Sequence, residues 1–153
     1  MSMQTRSWLL GGALAALAIP PLIFLWAALA DGLGASEALT ALVTQYGAER
    51  QNLAVLSAVG LAPLALLTIV LLVMRRLRPR DPARPIYAAA GLLPILLVLG
   101  WIHSTFWPLF FPGRTYPGFP HGLEFVVGPF IFAPVAMTVG LLVAWLGLRN
   151  NAS

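Results

Sequence analysis

The sequence predicts an all-α integral membrane protein: four transmembrane helices in an up-down bundle, Pro-kinked, with a short amphipathic interfacial helix in the first external loop. Three observations predict it. First, 59% of the 153 residues are hydrophobic and 9% are charged, whereas a water-facing domain carries about a quarter charged residues. Second, the apolar residues gather into four runs, each longer than the roughly 20 residues that cross a hydrocarbon core. Third, the arginines are distributed very unevenly among the connections between those runs. At this length the chain is a single unit, residues 1–153.

The first run, residues 8–30, ends at Asp31. It exceeds the core of about 7–15 residues found in cleaved signals, so it is expected to be retained. The connection 31–52 places Leu39, Leu42, Val43 and Tyr46 at helical spacing, with Ser36 as the expected cap and Glu37 favourable in the first turn. That pattern predicts a helix lying on the membrane surface. The second run, 53–74, ends at Arg75 and Arg76, and a basic loop, 75–85, follows. The third run, 86–107, is expected to close at Pro108, and the connection 108–121 leads to the fourth, 122–148. Prolines inside the runs (Pro20, Pro21, Pro63, Pro94, Pro129, Pro134) each remove a backbone donor and predict bends.

Orientation follows from charge. All nine basic residues are arginine, five of them between Arg75 and Arg84. With four spans, Arg6, this cluster and Arg149 fall on one side, and Arg50 and Arg114 on the other. The positive-inside rule makes the crowded side cytoplasmic and leaves loops 31–52 and 108–121 external. Trp8 and Trp145 then sit near cytoplasmic ends, and Trp26, Trp101 and Trp107 near external ends, as interfacial indoles should. Both termini are cytoplasmic. The arginine-only, alanine- and leucine-rich composition suggests the inner membrane of a bacterium with a GC-rich genome. The net charge of +4 sits beside a span and reads as a topology signal, not a nucleic-acid surface.

Several chemistries are excluded. No cysteine is present, which removes disulfides and thiol sites, and no lysine, which removes Schiff-base work. There is neither a phosphate-binding Gly-x-x-x-x-Gly-Lys nor a pair of intramembrane aspartates. The reading therefore leans away from an enzyme.

One stretch, WIHSTFWPLFFPGRTYPGFPHGLEF at 101–125, holds both histidines. His103 belongs to the last turns of the third helix, and His121 and Glu124 to the start of the fourth. Antiparallel neighbours bring those ends together, and a spacing of three puts His121 and Glu124 on one face. His103, His121 and Glu124 thus form a candidate ligand set for a divalent metal. His103, His121, Arg114 and Trp107 form a candidate cofactor site, for a haem or a quinone head. A plainer account serves the same residues: Glu124 complements a helix N-terminus, His121 faces water, and His103 bonds locally or stacks near Trp107. Whether any cofactor is bound stays open.

Ala136, Gly140 and Ala144, spaced by four, and Gly12 with Ala16 form small-residue stripes for close helix packing, within the chain or against another subunit. Membrane lipids are the expected partners of such a chain. The expectation is a small accessory or structural subunit of a larger membrane complex. The alternative is the external-face metal, haem or quinone site. A small transporter or channel comes third, since no acidic residue falls at mid-membrane.

Overall fold

The computed structural model describes residues 3–49, 52–111 and 123–150, and its regular structure is helical throughout. In chain order the elements are α1 (Met3–Ala30), α2 (Ala35–Tyr46), α3 (Leu53–Gly60), α4 (Ala62–Leu77), α5 (Arg84–Phe110), α6 (Glu124–Val127), a π-helical segment (Gly128–Phe132) and α7 (Ala133–Asn150). Read end to end they make four stretches long and apolar enough to cross a membrane: Met3–Ala30, Leu53–Leu77, Arg84–Phe110 and Glu124–Asn150. The shortest, at 25 residues, is about 37 Å long at 1.5 Å per residue, against a hydrocarbon core of about 30 Å.

Local chemistry explains where the helices stop. At the end of α1 Gly32 adopts φ 98°, which lets the Leu33 N–H reach back to the Ala28 carbonyl at 3.2 Å. Asn52 starts α3: its Oδ1 accepts from the Ala54 and Val55 amides, and its Nδ2 donates to the Tyr46 and Ala48 carbonyls, tying α2 to α3. The expected cap of α2 is corrected. Gly34, not Ser36, takes the cap position in an extended conformation, and Glu37 accepts the Gly34 N–H at 2.9 Å.

The prolines act unequally. α1 runs unbroken through Pro20 and Pro21, and α5 through Pro94. The second span divides at Leu61, two residues before Pro63, where the Leu61 amide bonds Ala58 three residues back. Pro129 is the second residue of the π-helical segment, and the Ala133 amide there bonds Gly128 five residues back. Pro108, expected to end the third helix, lies inside it. In the last turn its missing donor frees only the Ser104 carbonyl, near an end where carbonyls lack helix partners in any case.

α5 is the central helix. It packs along both α1 and α7, which flank it rather than each other, and α4 covers a further side. At one end the core is aliphatic, built from residues such as Leu67, Leu71, Ala88, Leu92 and Ile95. At the other, beside α2, it is aromatic, with Phe24, Phe106, Trp107, Phe111 and Phe125. Small residues permit this closeness. A Cβ on Gly140 would overlap the Ala90 carbonyl oxygen of α5, and one on Gly12 would overlap Leu92. Both stripes are therefore engaged at their glycines within the chain.

Candidate functional site

The aromatic end of the bundle gathers the described residues of the 101–125 stretch. His103 and Trp107 are one turn apart on α5 and both are buried. The Trp107 indole N–H donates to His103 Nδ1 at 3.0 Å, and the rings are nearly parallel, 15° between planes with centroids 6.3 Å apart. Phe125 of α6 meets the imidazole at 4.9 Å, tilted by 41°. Phe24 of α1 meets the Trp107 ring edge-on at 5.0 Å, and Phe106 meets Phe125 edge-on at 4.6 Å. Three helices thus converge on one histidine–tryptophan pair, each edge-on contact adding about 1 kcal/mol beyond simple burial.

This geometry fixes what His103 offers. A neutral imidazole has one N–H and one lone pair. With Nδ1 accepting from Trp107, the lone pair is in use and the proton lies on Nε2. In this arrangement His103 presents a donor, not a ligand lone pair.

Trp107 corrects an expectation. Read as an interfacial indole, it is 0% exposed. The histidine one turn earlier supplies the partner that its N–H would otherwise seek at the headgroups. Trp26 and Trp101, by contrast, are more than half exposed.

Glu124 opens α6 and lies on a different side of α5. With Trp101, Ile102, Thr105, Leu123, Val127 and Phe132 it lines a mostly apolar crevice of about 250 Å³ against the π-helical segment. The Thr105 hydroxyl in that crevice donates to the Trp101 carbonyl at 3.0 Å, and Trp101 and Phe132 tilt together at 6.2 Å. So the structure joins His103 with Trp107 and Phe125, and Glu124 with Trp101 and Thr105. His121 and Arg114 lie outside the described residues. Among the described residues, no three of His, Cys, Asp and Glu come together in a metal-binding group.

Sequence reasoning passed over Phe24 and Phe125, which complete the aromatic surround. The signal was present: Phe24 lies near the C-terminal end of the first span and Phe125 next to Glu124 at the start of the fourth.

Comparison with known protein families, curated proteins and solved structures finds no match to this chain.

Proposed function

We propose that this chain is a non-catalytic, four-span protein of a bacterial inner membrane, an accessory or structural subunit of a larger membrane assembly. In this reading the helices alternate up and down, both termini are cytoplasmic, and α2 rests in the outer interface. One observation carries it: five polar side chains within the spans are bonded to their own helix, with buried Ser57 as the exception. Thr68 and Thr138 each donate to the carbonyl four residues back at 2.8 Å. Ser104 and Thr105 donate to Trp101, and Trp107 donates to His103. Such local satisfaction suits a scaffold, because a transport path or catalytic centre needs polar groups aimed at something other than their own backbone. The outer faces of α1 and α7 remain apolar, suited to lipid or to a neighbouring subunit.

The test is purification in lipid particles, with identification of membrane proteins that accompany the chain in fixed ratio and cross-link to α1 or α7. A chain that is always recovered alone, at unit stoichiometry, sinks the proposal.

The crevice beside Glu124 favours a second reading, an external-face site for an amphipathic ligand such as a quinone head. Metal or haem ligation by His103 would have to break the Trp107 bond, which weighs against those forms. A visible spectrum, metal analysis and quinone extraction of the purified protein distinguish them.

A further inference from the structure

The end of the molecule opposite α2 carries an organised cationic surface. Arg75 and Arg76 occupy the last turn of α4, Arg78 and Arg80 follow in the link, and Arg84 opens α5. The link is folded by its own bonds. The Arg84 Nη2 donates to the Pro79 carbonyl at 2.6 Å and its Nε to the Asp81 carbonyl at 3.1 Å. Asp81 Oδ1 accepts the Ala83 amide at 2.9 Å. Arg84 is thus internal cross-bracing, and Asp81 holds the start of α5. The guanidiniums of Arg75, Arg76, Arg78 and Arg80 are exposed and find no partner among the described residues.

Arg78, Pro79, Arg80 and Asp81 border an open hollow of about 490 Å³. Exposed apolar side chains lie close to it along the chain. Leu77, between Arg76 and Arg78, is 77% exposed, and Ile86, in the first turn of α5, is half exposed. Four unpaired cations on a braced frame call for phosphate. Bare leucine and isoleucine close to them in the chain call for hydrocarbon.

We propose that this surface is a binding site for an anionic phospholipid, with the headgroup phosphate held by Arg78 and Arg80 and the acyl chains lying along Leu77 and Ile86. A soluble polyanion, nucleic acid or acidic protein would satisfy the guanidiniums but leave the two aliphatic side chains in water. The link is braced before the lipid arrives, so little ordering opposes binding. The inference does not depend on the proposed subunit role or on which side of the membrane this end faces.

The experiment uses the full chain purified in detergent and titrated with dioleoyl phosphatidylglycerol or dioleoyl phosphatidylcholine, with bound lipids counted by native mass spectrometry. Wild type should retain the anionic lipid preferentially. The preference should fall about fivefold for each guanidinium removed in Arg78→Gln and Arg80→Gln. Arg84→Gln keeps those charges but frees the brace, and should weaken retention less. Arg149→Gln, on α7, should leave it unchanged. Single cysteines introduced at the termini, in a chain that has none of its own, report whether each variant keeps its topology.

Equal retention of the two lipids by wild type overturns the proposal. So does a preference indifferent to Arg78 and Arg80. Displacement of the anionic lipid by inorganic polyphosphate or an oligonucleotide at lower concentration than competing phosphatidylglycerol overturns it too, and assigns the surface to a soluble polyanion.

Discussion

Gly140 lies against the carbonyl oxygen of Ala90, so close that any Cβ would overlap it. Ala90 is four residues before Pro94, and Pro94 has no N–H to close the helical bond to that carbonyl. The backbone group that proline leaves open is therefore covered by the glycine of the opposing helix, where a Cα–H can approach the oxygen. Pro20 repeats the relationship more loosely: the freed Ala16 carbonyl faces Gly60 of α3, 3.9 Å from where a Cβ would stand. Proline and glycine on different helices are thus a matched pair.

Replacing Gly140 by alanine should force α7 away from α5, because the obstructing atom is backbone and cannot turn aside. The expected loss is about 1–3 kcal/mol, the usual range for overpacking. Thermal unfolding in mild detergent measures it, with Gly147→Ala, where the added methyl meets nothing within 4 Å, as the control. Equal melting of the two variants would dismiss the α5–α7 contact as drawn.

Trp107→Phe removes the indole donor and leaves His103 Nδ1 buried without it. The expected cost is about 1–3 kcal/mol, the penalty for stranding a buried polar group. In a double-mutant cycle, Trp107→Phe with His103→Phe should show coupling of about 1 kcal/mol or more, since the two residues share a bond. Purely additive losses would mean that the bond contributes nothing. A large coupling supports the structural use of His103.

Which parts of this were legible in the chain depends on what contrast the solvent provides. The four spans stand out because water and lipid select opposite residues, and the ends at Asp31, Arg75 and Arg149 are marked by charge. The faces of the helices do not stand out. On α5, Leu97 is 73% exposed and Leu99 1% exposed, yet both are leucine, because lipid tolerates what the core requires. That is why the central position of α5 could not be read. The same loss of contrast hid the burial of Trp107, whose partner was nevertheless readable as the residue four earlier. The π-helical segment was hidden differently: Pro129 and Pro134 announced disturbed bonding, but not that the helix would absorb it by adding a residue to one turn.

Ser57 is the exception to local satisfaction. Its hydroxyl is buried and, among the described residues, is the buried side-chain group that has no hydrogen-bond partner. An unpaired hydroxyl in an apolar setting is unfavourable by about 1–3 kcal/mol. Ser57→Ala should therefore stabilise the protein, in contrast to Thr68→Ala or Thr138→Ala, which should be close to neutral. A melting temperature that drops in Ser57→Ala would instead indicate that the hydroxyl holds a partner, such as a water or a bound ligand, and would make α3 part of a site.

The last prediction concerns α2. Its faces divide three ways: Ala38 and Gln45 are buried inward, Ser36, Thr40 and Thr44 run along a second side, and Leu39, Val43 and Tyr46 form an exposed apolar stripe. Spacing of four and three residues keeps that stripe on one side of the helix, and its members have no reason to face bulk water. If α2 rests in the interface, the stripe should dip among acyl chains while the serine and threonine side stays wet. In reconstituted protein, a spin label at a cysteine replacing Val43 should be relaxed by oxygen, which concentrates in lipid. One at Thr44 should respond to a water-soluble nickel chelate. Val43→Glu should lift the helix and reverse the first signal, with little loss of overall stability, because Val43 is 71% exposed and lies outside the core. Labels at 43 and 44 that both report water would remove α2 from the membrane surface and leave it as an exposed connector.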